Sequence, residues 1–367
     1  MTDPRIHNFA RILVEYSAAV KPGDKVAVTA TTLAEPLLRE IFALTLQRGA
    51  YPHLLIELPD QEELIFRHAS DELLKFAPIF ARMAFDEFDV LIKLRSADNT
   101  RAQTGVDPTR QAVRQKSVAR LIASQMQRGA TDELRWMSTL YPTPAYAMEA
   151  EMGTAEYEDF FYRALHADQA DPIAHWQSIK ATQQRIIDRL EGHDQVLLRG
   201  PNVDLKLSIK DRKFKNACGI NNLPDGEVYT GPVEESANGW VRYTYPAVNQ
   251  GRVVEGIELK FENGKVVQAT AARNQDFLLR MLDIDAGARF IGEFAIGTNY
   301  EINRFTKNIL LDEKIGGSFH MALGAGYPET GSKNKSLIHW DMICDLRTDS
   351  EISVDGEVIY RDGQFLI

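Results

Sequence analysis

Apolar residues in the first part of the chain recur at helical spacing, then bunch into short extended runs, and the two patterns alternate. Phe9, Ile12, Leu13 and Tyr16 fall on one face of a helix over 5–16. A Pro22-Gly23 break leads to a strand at 25–30, a helix over 33–48 and a mostly apolar strand at 51–58. The rhythm returns with a strand at 89–94, a helix over 107–127 and a strand at 137–141. Such alternation predicts right-handed βαβ units around a parallel sheet. No GxGxxG follows a strand and no GxxxxGK[ST] occurs, so neither a dinucleotide site nor a P-loop is expected.

Residues 150–192 read as helical throughout, and the texture then changes. Short strands are expected at 196–198, 203–209, 240–245, 253–261 and 266–271, with one helix over 275–282. Asn263-Gly264, Asp355-Gly356 and Asp362-Gly363 are hairpin-turn pairs. The expected architecture is an α/β N-terminal domain with a parallel sheet, 1–190, followed by a β-rich α+β domain, 191–367, that would carry the chemistry.

Composition narrows the function. The 367 residues are 44% hydrophobic and 26% charged, as in a globular protein that folds without staples. The 42 basic against 52 acidic residues give a net charge of -10, which argues against nucleic acid or an anionic membrane surface as partner. Two cysteines, Cys218 and Cys344, exclude a disulfide framework and a CxxC zinc site. No apolar run is long enough for a membrane span and the start lacks a secretory pattern, so the cytoplasm is the expected compartment.

The candidate chemistry lies in the second half. Segment 336–343 reads as an apolar strand carrying His339 and Asp341. Two positions apart, they share a face about 6.5–7 Å from one another along the backbone, while Trp340 and Met342 point the other way. His320 stands among apolar residues and glycines, Glu227 is delivered by the turn Pro224-Asp225-Gly226, and Glu293 is the single charge of its apolar window. Each alone has an ordinary reading: a core histidine, a solvated turn carboxylate, an ion pair with Arg289. Together they supply two imidazoles and three carboxylates, enough for a dinuclear divalent site and generous for a mononuclear one. The pair His166 and Asp168 falls in a helical stretch, where positions two apart do not share a face.

The stretches LPDGEVYTGPVEESANGWVRYTYPAV, VEGIELKFENGKVV, IGEFAIGTN, LLDEKIGGSFHMALGAGYP and NKSLIHWDM resemble the thermophilic metallo-aminopeptidase family, with a looser match at YPTPAYA in the first half. The resemblance implies a hydrolase that binds two metal ions, zinc, cobalt or manganese, through Glu227, Glu293, His320, His339 and Asp341. It also implies a catalytic tyrosine at Tyr327, seven residues after His320, a homodimer, and short peptides as substrates. On this reading Glu293 both binds metal and passes the water proton to the leaving amine. The resemblance covers roughly 195–345, where the His320 to His339 interval is short and carries the run Ser332-Lys333-Asn334-Lys335.

Two other readings compete. Ring-opening dioxygenases of the dihydroxypyridine type are similar in fold and hold one Fe(II) on two histidines and a carboxylate, a triad that His320, His339 and Asp341 satisfy. That triad leaves Glu227 and Glu293 without a metal. A βαβ binding protein with a structural acidic cluster is the third.

Overall fold

The computed structural model describes residues 3–249 and 251–366. The chain divides into two compact units. One runs to Trp176 and includes Gly219–Pro224, and the other comprises Gln177–Cys218 and the chain from Asp225 onward. The division thus falls inside the helix Pro172–Leu190, ahead of the 190/191 position expected from the sequence.

The first unit is built on a parallel sheet with strand order Tyr51–Glu57, Lys25–Thr31, Val90–Arg95, Arg135–Leu140 and Asn222–Leu223. The helices Glu35–Gln47 and Pro108–Ala130 connect successive strands, as the alternation predicts. Val26, Ala27 and Val28 on one strand and Val90, Leu91 and Ile92 on its neighbour are buried, the pattern of strands covered on both faces. The edge strand departs from that pattern. Its apolar residues Leu54 and Ile56 are 39% and 42% exposed, and Phe42 and Leu46 of the adjoining helix are exposed beside them. Alternation identifies a strand, but only pairing decides whether it lies inside the sheet or at its margin.

The second unit is built on two large antiparallel sheets, beside a third that pairs only Ala247–Asn249 with Arg252–Val254. The larger has the order Lys265–Thr270, Glu258–Glu262, Asn238–Arg242, Val203–Ser208, Gln195–Gly200, Glu351–Val354, Glu357–Arg361 and Gln364–Phe365. The smaller has the order His339–Asp345, Ser318–Gly324, Ile291–Gly297, Glu227–Thr230 and Lys215–Ala217. Both turn one apolar face into a single core. Leu198, Leu205, Val241, Leu259 and Ile352 come from the larger sheet, and Val228, Phe294, Phe319, Met321 and Met342 from the smaller.

The three predicted hairpin pairs all take positive φ at both positions, 50° and 80° at Asn263-Gly264, 50° and 90° at Asp355-Gly356, 48° and 83° at Asp362-Gly363, which suits the twist of tight hairpins. Two expectations change. The strand expected at 253–261 is two strands, Arg252–Val254 and Glu258–Glu262, separated around Gly256 at φ 64°. The strand expected from 336 begins at His339. Asp285 accepts hydrogen bonds from the Leu337 amide and the Ser336 hydroxyl, which holds that stretch outside the ladder. No described helix is long and apolar enough to cross a membrane.

Candidate metal centre

Strand parity assembles the site. In the smaller sheet, Val228, Phe294, Ile296, Phe319, Met321, Trp340 and Met342 face the core. The alternate positions therefore face the other way: Glu227 and Tyr229, Glu293, Ala295 and Gly297, His320 and Ala322, His339 and Asp341. The register sets them in rows. Ala322 pairs with both Glu293 and Asp341, Ala295 with both His320 and Tyr229, and Gly297 with Glu227. Small residues between the polar ones leave room above the sheet. A bulge at Gly292 shifts the register between Ile291 and Glu293, so that Ile291 turns into the core although it stands two residues before a site carboxylate. A Cβ at Gly292 would collide with the Gly324 and Ala325 carbonyl oxygens, so no larger residue fits that bulge.

All five sequence candidates converge. His320 Nε2 is 3.4 Å from Glu227 Oε2 and 3.8 Å from Glu293 Oε1. His339 Nε2 is 3.1 Å from Glu293 Oε2 and 3.5 Å from Asp341 Oδ1. Among the described residues, three groups bring potential ligand atoms within 4.8 Å of one another: Glu227, Glu293 and His320; Glu293, His339 and Asp341; and Glu313, His320 and Asp341. Glu293 belongs to two of them. The His339 ring is oriented by its Nδ1, 2.8 Å from the Ala325 carbonyl, which leaves Nε2 for the cluster. Glu227 Oε2, His320 Nδ1 and Asp341 Oδ1 are buried and find no hydrogen-bond partner among the described residues. Orphaned polar atoms cost about 1–3 kcal/mol each, and a cation among the carboxylates would satisfy the oxygens. The donor set of carboxylates and imidazoles fits a divalent metal.

Two participants escape the sequence reading. Glu313 and Lys314 follow the short helix Ile309–Asp312, and Asp312 ties that turn down by accepting from the Thr306 amide and hydroxyl. Lys314 is 1% exposed, and its ammonium donates to Glu227 Oε1 at 2.6 Å and to Glu313 Oε1. Glu313 and Lys314 carry the same sequence signal as Glu293, charges set among Leu310, Leu311 and Ile315. Gln183 is a further buried support. Its amide donates to the carbonyls of Ala217 and Glu227, bracing the strand that presents Glu227.

Electrostatics follow from burial set against mutual attraction. Burial pushes Glu227 up to about 8, opposed by Lys314 and His320. Burial also works to raise Glu293 and Asp341. Hydrogen bonds from His320 and His339 outweigh it at Glu293, which sits below the usual range, and the His339 charge holds Asp341 at about 2. Burial would lower the imidazoles, yet Glu293 and Glu227 lift His320 to about 9, and Asp341 lifts His339 well above its ordinary value. The carboxylates call for positive charge at this place.

Tyr327 borders the cluster, its ring centroid 5.2 Å from His339 and 5.5 Å from Tyr229. Burial and the charge of Glu293 raise its pKa, so the phenol stays neutral and able to donate. Of the remaining histidines, His7 pairs with Glu40, His193 with Asp355, and His166 packs against His175 with ring centroids 4.1 Å apart. The loop after Tyr327 is anchored where the Lys333 amide donates to Glu234 Oε1.

Residues 2–365 match the family described as thermophilic metalloprotease (M29). The chain belongs to this family. It is a hydrolase, and the resemblance read from the motifs is borne out. Aminopeptidase 2 of Geobacillus stearothermophilus is 28% identical, with 99% of this metalloprotease and 98% of the relative covered. Aminopeptidase T of Thermus thermophilus is 26% identical, covering 98% and 95%. The solved structure of wild-type AmpT from Thermus thermophilus superposes with a TM-score of 0.86 at 23% identity over 99% of both chains, which bears out the fold class. The 2,5-dihydroxypyridine dioxygenase of Pseudomonas putida KT2440 shares the fold more distantly, with a TM-score of 0.55 at 12% identity, covering 99% and 96%.

Proposed function

We propose that this metalloprotease is a dinuclear aminopeptidase that releases N-terminal residues from short peptides. The observation that carries the reading is Glu293, whose two oxygens approach His320 and His339 separately and which takes part in two ligand groups. The ligands would be Glu227, Glu293, His320, His339 and Asp341, with Glu313 a sixth candidate. When bound, two divalent ions, zinc, cobalt or manganese, supply a water that ionises near neutral pH and a Lewis acid for the scissile carbonyl and the α-amine. The chain supplies the rest. Glu293 accepts the water proton and delivers it to the leaving amine. Tyr327 donates a hydrogen bond to the oxygen on which negative charge develops. The mononuclear iron reading is less well supported, because no ligand group among the described residues holds His320, His339 and Asp341 together.

Metal analysis beside turnover of a leucyl chromogenic amide tests this. The expected result is two divalent ions per chain, a loss of roughly 100-fold or more in turnover after chelation, and recovery on adding zinc, cobalt or manganese. One iron per chain, or full turnover by metal-stripped protein, defeats the proposal.

We also propose a homodimer in the cytoplasm. The exposed apolar margin formed by Leu54, Ile56, Phe42 and Leu46 supports the first, and two buried thiols outside any disulfide suit a reducing compartment. Light scattering during gel filtration is expected to give twice the chain mass, and a Leu54→Lys, Ile56→Lys variant the mass of one chain. A wild-type monomer at micromolar concentration excludes the dimer.

A further inference from the structure

We propose that Lys314 is a positioning residue for the metal ligands: it occupies one oxygen of Glu227 and one of Glu313, leaving each carboxylate a single oxygen to offer a metal. The inference rests on the metal-site reading above. Glu227 Oε1 receives the ammonium, while Glu227 Oε2 has no hydrogen-bond partner among the described residues and lies 3.4 Å from His320 Nε2. The lysine thus divides Glu227 into a tethered oxygen and an available one. Its other contact, Glu313, belongs to a different ligand group, so one ammonium braces carboxylates of two groups that share His320.

The lysine is itself fixed by its backbone. Its amide donates to the Leu311 carbonyl at 3.0 Å, and its carbonyl accepts from the Asn299 amide at 3.1 Å. Asp225 Oδ1 lies 3.8 Å from the same ammonium. Charge is compatible with this: Asp225, Glu227, Glu293, Glu313 and Asp341 are five carboxylates, and two divalent cations with one lysine match their charge when both imidazoles are neutral ligands. Without Lys314, Glu227 is free to turn both oxygens toward one ion, and Glu313 loses the group that aims it.

Cobalt loading reads this out directly. Wild-type protein, Lys314→Met and Lys314→Arg are stripped and titrated with Co(II) against a chelator of known affinity, with the visible cobalt spectrum recorded and folding checked by circular dichroism. Folded Lys314→Met is expected to bind cobalt about 10–100-fold more weakly at one site or more, with an altered cobalt spectrum, and Lys314→Arg to recover part of both. A lysine that merely fills space predicts lower thermal stability with unchanged cobalt affinity and spectrum, and that result overturns the proposal. If Lys314→Met does not fold, Lys314→Gln decides: loss of the ammonium is expected to weaken cobalt binding and alter its spectrum, and a wild-type spectrum and affinity refute the role. Wild-type protein that takes up no cobalt defeats the metal-site reading itself, whereas two ions bound identically by wild type and variants defeat only the role of Lys314.

Discussion

Glu293→Gln is expected to lower turnover of a leucyl chromogenic amide by roughly 10³-fold or more and to reduce bound metal below two ions per chain. The side chain is 4% exposed and lies against both imidazoles, so the exchange removes a buried negative charge from the middle of the cluster with almost no change in volume. The amide nitrogen would also point a donor at one histidine, where the carboxylate only accepts. On the proposed mechanism two losses combine, that of a ligand shared between groups and that of the proton acceptor. Turnover and metal content measured on the same preparation separate them. A variant with full metal and wild-type turnover removes Glu293 from the mechanism.

Tyr327→Phe is expected to act differently, lowering kcat by about 10²–10³-fold while metal content and KM stay near wild type. The ring remains to pack against Tyr229 and His339, so only the hydroxyl is lost. Because burial keeps the phenol neutral, the missing contribution is a hydrogen bond and not a charge. Steady-state kinetics on the metal-loaded variant measure the effect. An unchanged kcat assigns the ring to packing alone.

Much of this was legible because strands expose their arithmetic. His339 and Asp341 share a parity, Trp340 and Met342 share the other, and the structure places the first pair in the cluster and the second in the core. The Asn-Gly and Asp-Gly pairs specified their turns through φ alone. Glu313 and Lys314 were less legible, since a Glu-Lys pair after a short helix has the composition of a solvated turn. Only the return of the chain beneath Glu227 makes the lysine a buried partner. The exposure of the strand Tyr51–Glu57 was hidden for a related reason: its sequence records what it could bury, and nothing in it states that among the described residues only one of its edges is paired. Chain crossing points belong to tertiary structure, and the break at Gly256 shows how one residue with a positive φ interrupts an otherwise continuous apolar run.

The bulge at Gly292 makes the strand Ile291–Gly297 a phase boundary. On its far side the odd-numbered Glu293 belongs to the carboxylate–imidazole cluster, and on its near side the odd-numbered Ile291 belongs to the oil. A single residue gained or lost at that point would exchange the two faces of the strand and bring a hydrocarbon among the carboxylates.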